Sequence, residues 1–277
     1  MATNGPADAP DPTPARRAIP APNPLLERWR SGGSVVATWL TIPDVVVAEI
    51  LASSGADAVV VDQQHGGATA GDLAALFMAI EGRGAWPITR VPENTVAAIG
   101  RSLDAGALGI IVPMVGSAEE ATAAVAACRH GAAGRRSYGP LRAHAMPGPA
   151  DPVELVRPAL ILQIETVAGL RNVEQIADTP GVDALLVGPT DLALSLGMPA
   201  DPSARSADDA RRHAEALDRV RDVCAAHGIA AGMYCTDGTA ARSYLASGFR
   251  FVSAATDSAV VAAGVRREME RARARGA

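Results

Sequence analysis

Cysteine is scarce. The 277-residue chain has three, Cys128, Cys224 and Cys235, with no C-x-x-C spacing. That excludes a disulfide framework and a cysteine-built zinc site, and predicts a reducing, cytoplasmic setting. No uninterrupted apolar run reaches the ~18 residues of a membrane span. The chain does not open with a basic segment followed by an apolar one, so a soluble protein with no membrane partner is expected. Basic residues are outnumbered 25 to 30, for a net charge of −5, and they are scattered, so nucleic acid is not an expected partner. Also missing are G-x-G-x-x-G, a Walker loop, H-E-x-x-H and G-x-S-x-G. Nucleotide, zinc-protease and serine-hydrolase readings therefore have no motif to rest on.

What is present is an alternation. Residues 1–23 are rich in Ala, Pro and Asp and hold too little apolar surface to offset ordering entropy, so they are expected to form a disordered tail. Residues 24–277 are expected to form one domain, opening with a short amphipathic lead-in at 23–29. Eight short apolar runs follow, at 35–40, 58–61, 87–91, 109–112, 159–164, 184–187, 229–233 and 251–254. Between them lie helical patterns. Leu73, Leu76, Phe77 and Ile80 recur with a 3.6-residue period, as do Ala210, Ala214, Leu217, Arg221 and Cys224. Pro43 is expected early in the first of these helices, Ser117 and Glu120 to form a capping box, and Gly55, Gly106, Gly228 and Gly248 to end helices. Eight βα units predict an α/β protein, a (β/α)8 TIM barrel with its site at the carboxyl ends of the strands. A doubly wound open sheet is the alternative. After the seventh run only Gly238 is near, and after the eighth no glycine is, which argues against the usual barrel phosphate site. The segment 130–158 is too long for an ordinary connection, and its Arg135 to Arg142 stretch is read either as a lid or anion-reaching arm or as a solvated excursion.

In a barrel, strand tips far apart in sequence converge. Asp62 and His65 follow the second run, Arg90 ends the third, Gln163 and Glu165 share a face of the fifth, and Asp191 follows the sixth. Two carboxylates from adjacent strands, without a cysteine or second histidine, suit a hard divalent cation such as Mg²⁺ or Mn²⁺. Plainer roles stand beside these. Asp191 can be the cap of a helix at 192–196, His65 an ordinary loop histidine, Arg90 a partner of Asp62 or Glu93, and Gly66, Gly67 and Gly188 turn residues.

Six stretches in order resemble the HpcH/HpaI aldolases, class II pyruvate aldolases that include 4-hydroxy-2-oxoheptanedioate aldolase. They are Ala37-Thr38-Trp39-Leu40 followed by Pro43, Val61-Asp62-x-x-His65-Gly66, Arg90-Val91-Pro92, Ile111-Val112-Pro113-Met114-Val115, Gln163-Ile164-Glu165-Thr166, and Val187-Gly188-Pro189-Thr190-Asp191-Leu192. The resemblance spans about residues 25–265. It implies that Glu165 and Asp191 bind a divalent metal (Mg²⁺, Mn²⁺ or Co²⁺), that Arg90 contacts the pyruvyl oxygens, and that His65 with Asp62 moves a proton. It places Gln163 beneath the metal and the Gly188-Pro189-Thr190 backbone at the substrate carboxylate. Trp39 is read as a pocket wall, with core packing as its plainer role. The implied assembly is a hexamer whose subunits exchange the last helix, here 260–275. One departure stands out. The family's usual glutamate before the histidine is replaced by Gln64, which removes a negative charge beside the base.

The chemistry agrees with these roles. An ion chelated by a 2-oxo acid stabilises the enolate formed when C3–C4 breaks, Arg90 adds fixed positive charge, and His65 takes and returns the C4-hydroxyl proton. Asp62 is expected to orient the imidazole and favour its protonated form. The expected function is cleavage or formation of 4-hydroxy-2-oxo acids from a 2-oxo acid and an aldehyde. The alternatives are a related lyase or decarboxylase acting on a coenzyme A thioester or oxaloacetate, and a non-catalytic 2-oxo-acid-binding barrel.

Overall fold

The computed structural model describes residues 23–139, 142 and 157–274. Residues 1–22 of the tail expected over 1–23 and most of the 130–158 excursion lie outside them, while Asn23, the expected last residue of the tail, is buried. Eight parallel strands, β1 (Val35–Leu40), β2 (Ala58–Asp62), β3 (Trp86–Arg90), β4 (Gly109–Val112), β5 (Ala159–Ile164), β6 (Ala184–Val187), β7 (Ala230–Met233) and β8 (Phe251–Thr256), pair in chain order and close β8 onto β1. The helices are α1 (Pro24–Arg30), α2 (Val45–Ala52), α3 (Leu73–Gly82), α4 (Val96–Asp104), α5 (Ala118–Ala127), α6 (Val167–Arg171), α7 (Val173–Ala177), α8 (Pro189–Ser195), α9 (Ala207–Ala226), α10 (Gly238–Ala246) and α11 (Asp257–Arg273). The expected (β/α)8 barrel is the fold. No helix among the described residues is long and apolar enough to cross a membrane.

The pleat decides what faces where. Successive strand residues point to opposite faces, so Ala37, Trp39, Val60, Ile88, Ile161 and Leu186 fill the barrel interior, while Leu40, Val59, Val61, Ile110 and Leu185 pack under the helices. Continuing the inward parity toward the carboxyl ends gives Asp62 after Ala58 and Val60, Arg90 after Ile88, Gln163 after Ala159 and Ile161, and Gly188 after Ala184 and Leu186. The polar site is the top layer of the apolar core. The bottom is closed by α1. Asn23 caps it, accepting from Leu25 N–H and donating to the carbonyls of Leu108 and Arg157, and Leu25 is fully buried in the interior cluster.

Several boundaries move. Asp62 is the last residue of β2, β3 runs from Trp86 to Arg90, β7 starts at Ala230, and β8 extends to Thr256. Pro43 precedes α2, whose cap is Asp44. Ser117 caps α5, but the Glu120 carboxylate reaches past it to the Gly116 N–H, so the capping box is not reciprocal. The buried face of α9 is His213, Ala216, Leu217, Val220, Val223 and Cys224, while Ala210 and Ala214 are exposed, so the expected stripe is rotated by about one position. Gly55, Gly106, Gly228 and Gly248 all have positive φ, as expected of helix ends. The last helix starts at Asp257, directly on β8, and Val260, Val261, Val265 and Met269 on it are 47–56% exposed. It leaves the rim without lying on its own barrel.

The described part of the 130–158 segment is an αβ connection, at the end of the barrel opposite the strand tips. Arg136 pairs with Asp104 at the C-terminus of α4, and Arg142 pairs with Glu81 on α3 and donates to the Ala105 carbonyl. These arginines are not a lid over the strand tips.

Candidate active site

A cavity of about 380 Å³ opens at the carboxyl ends of the strands, lined by Trp39, Asp62, His65, Arg90, Gln163, Gly188, Pro189, Thr190 and Asp191. Of the residues expected in the site, Glu165 alone is not on its wall. It lies just behind, hydrogen-bonded through Oε2 to Gln163 Nε2 at 2.6 Å.

Arg90 and Asp62 form the deepest charged pair. Registered opposite each other on β3 and β2, they make a fork, with Nε to Oδ1 at 3.0 Å and Nη2 to Oδ2 at 2.5 Å. Trp39 Nε1 adds a bond to Oδ2 at 3.2 Å, and the guanidinium lies 5.3 Å from the indole centroid. Burial pushes the Asp62 carboxyl up. The Arg90 hydrogen bond and charge, the Trp39 bond and the Gln64 N–H together outweigh it and hold it below the usual range. The expected ion pair between Arg90 and Asp62 is therefore real, and Trp39 is both buried packing and a hydrogen-bond donor.

Asp62 does not orient the His65 imidazole. Its Oδ1 accepts the backbone N–H groups of Gln64 and His65, which fixes the turn and leaves the exposed ring at the cavity rim to be placed by the backbone. Arg90, Trp39 and these two N–H groups together supply five donors to the carboxylate, which leaves it no free lone pair for the imidazole. Gln64 is not beside the base either. Its side chain lines a separate cleft with Pro92, Glu93 and Met114, and its buried Oε1 has no hydrogen-bond partner.

Glu165 is 2% exposed. Its Oε1 accepts the Met114 N–H at 2.8 Å, from a residue held at φ 60°, a left-handed conformation that is unfavourable for a side chain. Burial raises the Glu165 carboxyl most. The Met114 bond opposes that, the Asp191 charge raises it further, and Arg90 and Gln163 lower it, with a net rise. Asp191 is not a helix cap. Gly188 is the N-cap of α8, Asp191 sits in the first turn without a capping bond, and it faces the cavity. Two carboxylates repel each other there, and the Gln163 Oε1 beside them is buried with no partner. A Cβ on Gly188 would come within 2.5 Å of Glu165 Oε2 and 2.8 Å of Gln163 Nε2, so glycine is required for this approach. The donor set is all oxygen, and its uncompensated negative charge fits a hard divalent cation. Among the described residues no three His, Cys, Asp or Glu side chains form a cage, so such an ion would take the rest of its shell from water and substrate.

Reading the sequence alone misses the far wall: Thr41, Tyr234, Thr236, Thr256 and Ser258. Tyr234 Oη lies 3.0 Å from Thr256 Oγ1. Asp257, 3% exposed, ties the β8 tip to β1 by accepting Thr41 N–H, Thr41 Oγ1–H and Ile42 N–H. His213 is a second omission. Its Nδ1 faces a guanidinium N–H of Arg205, so Nε2 carries the proton and donates to the Pro189 carbonyl at 2.9 Å. The signal was available for the strand tips of β7 and β8, but not for a histidine on a helix twenty residues downstream.

A family model described as HpcH/HpaI aldolase/citrate lyase matches residues 36–263. The chain is 37% identical over 253 residues to a hydroxypyruvate/pyruvate aldolase of Rhizorhabdus wittichii, covering 91% of this chain and 99% of that one. It is 36% identical over 259 residues to a 4-hydroxy-2-oxovalerate aldolase of Novosphingobium aromaticivorans, covering 89% and 95%. Among solved structures, an HpcH/HpaI aldolase/citrate lyase family protein from Burkholderia cenocepacia J2315 matches with a TM-score of 0.82 at 31% identity, covering 91% and 100%.

Proposed function

The chain belongs to the HpcH/HpaI aldolase/citrate lyase family and is an enzyme, a lyase of the aldolase type, and from that premise we propose that it is a divalent-metal-dependent aldolase acting on 4-hydroxy-2-oxo acids. One product is pyruvate or a related 2-oxo acid, the other an aldehyde. The observation that carries this reading is the Glu165 and Asp191 carboxylate pair at the strand tips, beside the orphaned Gln163 oxygen. Glu165 and Asp191 would hold the ion, which when bound supplies a Lewis-acid charge at the substrate's 2-oxo oxygen.

A second observation supports it. All 25 basic residues are arginine, and the chain contains no lysine. Aldol cleavage needs an electron sink for the pair left on C3, and the common lysine imine is not available to this chain.

The protein's own groups do the rest. Arg90, preorganised by Asp62 and Trp39, presents fixed positive charge to the oxygen where negative charge develops. His65, at the rim, takes the C4-hydroxyl proton in cleavage and returns it in condensation. The Thr190 N–H, in the first turn of α8, has no intrahelical acceptor and is offered to the substrate carboxylate. We also propose self-association through the exposed apolar residues of α11, in line with the expected hexamer.

The test is pyruvate release from a 4-hydroxy-2-oxo acid with Mg²⁺, Mn²⁺ or Co²⁺. Abolition by excess chelator and by His65→Ala is expected. Full turnover in chelator would overturn the proposal.

A further inference from the structure

A second cavity lies at the opposite end of the barrel. Where α5 ends and β5 begins, about 290 Å³ of space is lined by Arg129, His130, Arg136 and Arg157 over an apolar floor that includes Val125 and Leu160. Two of the guanidinium groups are already matched, Arg136 Nη2 to Asp104 at 2.7 Å and Arg157 Nη2 to Asp183 at 2.8 Å. Arg129 has no carboxylate partner among the described residues. Its guanidinium lies over Gly181, at φ 108°, where a Cβ would collide with Nη2. Among the described residues the cavity therefore carries one uncompensated positive charge.

It also holds two polar atoms with nothing to bond. The Arg136 side chain is only 7% exposed, yet its Nε–H has no acceptor. His130 Nδ1 lies 3.2 Å from the Arg136 carbonyl oxygen, which can only accept, so Nδ1 carries the proton. That leaves His130 Nε2 buried, unpartnered and, in the neutral ring, an acceptor. Buried polar groups are nearly always paired, so an unmatched donor and an unmatched acceptor on one basic cavity point to a ligand.

We propose that this cavity binds hydrogen phosphate. The unmatched set consists of guanidinium donors, a net positive charge and one acceptor. Hydrogen phosphate answers all three, because its anionic oxygens accept from Arg129 and from Arg136 Nε while its hydroxyl donates to His130 Nε2. Sulfate has the shape and charge but no proton to donate. The site stands apart from the aldol reading, since none of its residues lies in the strand-tip cavity.

The experiment is calorimetric titration of the full chain with inorganic phosphate, with Mg²⁺ and pyruvate present in excess to occupy the strand-tip site. Saturable binding is expected. Arg129→Ala is expected to weaken it by roughly tenfold or more, the loss of one charge-assisted hydrogen bond, while turnover measured without phosphate stays at the wild-type level. Sulfate is expected to bind several-fold more weakly than phosphate, and His130→Ala to erase that preference. Phosphate that does not saturate, or that binds Arg129→Ala and the wild type equally, overturns the proposal. Equal affinity for sulfate and phosphate in the wild type overturns the assignment to the protonated anion.

Discussion

Arg90 and Asp62 hold each other in a fork buried under Trp39, and neither tolerates the other's loss. Arg90→Met leaves a carboxylate in the core with only N–H donors and no counter-charge, and is expected to destabilise the fold by about 3–5 kcal/mol, read by chemical denaturation. Arg90→Lys keeps a charge but not the fork, so kcat/KM is expected to fall by more than tenfold with a much smaller loss of stability. The Asp62 carboxyl lies below its ordinary value in the folded chain. Its contribution to stability is thus full above the ordinary carboxylate range and disappears as pH drops through the folded value. Trp39, Asp62, Arg90, Gln163, Glu165 and Asp191 were legible in the sequence because strand parity and an abrupt change from apolar to polar mark the tips. Gln64 misled for the same reason that His65 did not. In a turn, neighbours in sequence point to different cavities, and only the backbone path tells which.

Among the elements, α9 reaches into the site through His213. Burial lowers the pKa of this imidazole, so near neutrality it is an uncharged donor to the Pro189 carbonyl. His213→Ala is expected to loosen the turn that carries Thr190 and Asp191, raising KM for metal and substrate about tenfold. His213→Gln, which keeps an N–H, is expected to restore most of that, in steady-state assays against metal concentration. The histidine was illegible in the sequence because a helix face reads as apolar or polar, and a single imidazole on it carries no direction. The last helix was legible as an element, and the family resemblance, not its own pattern, marked it as one to be exchanged between subunits. Its apolar residues Val260, Val261, Val265 and Met269 are exposed on this chain. Val261→Asp is expected to shift the protein to smaller species in analytical ultracentrifugation without changing the circular dichroism of the barrel.

The whole molecule responds to pH through Glu165. Its folded carboxyl holds a proton to higher pH than the unfolded chain does, so over that window the folded state binds more protons and stability falls as pH rises through it. Metal-free protein is therefore expected to melt lower at a pH above that window than at one below it. A divalent cation is expected to raise the melting temperature more at the higher pH, and Glu165→Gln is expected to remove most of that metal effect, while part of the pH effect remains with Asp183, whose buried carboxyl is also raised. A metal response equal at both pH values would contradict this. The barrel itself was legible as eight short apolar runs separated by helical patterns, although the ends of β2, β3, β7 and β8 moved by one or two residues. The chemistry at its lower end was not, because Arg129, His130 and Arg136 lie in a connection with no periodicity, and only folding sets them around one space.

The plug at the foot of the barrel has a kinetic consequence. With Asn23 and Leu25 sealing the N-terminal end, the strand-tip chamber opens, among the described residues, through a doorway flanked by exposed Thr236 and Ser258. Traffic through such a doorway forms a queue. Whatever sits on buried Gln163, Glu165 and Arg90 goes in first and comes out last. The aldehyde must leave before the 2-oxo acid, so pyruvate should inhibit cleavage competitively and the aldehyde noncompetitively, a pattern that initial-rate product inhibition reads directly.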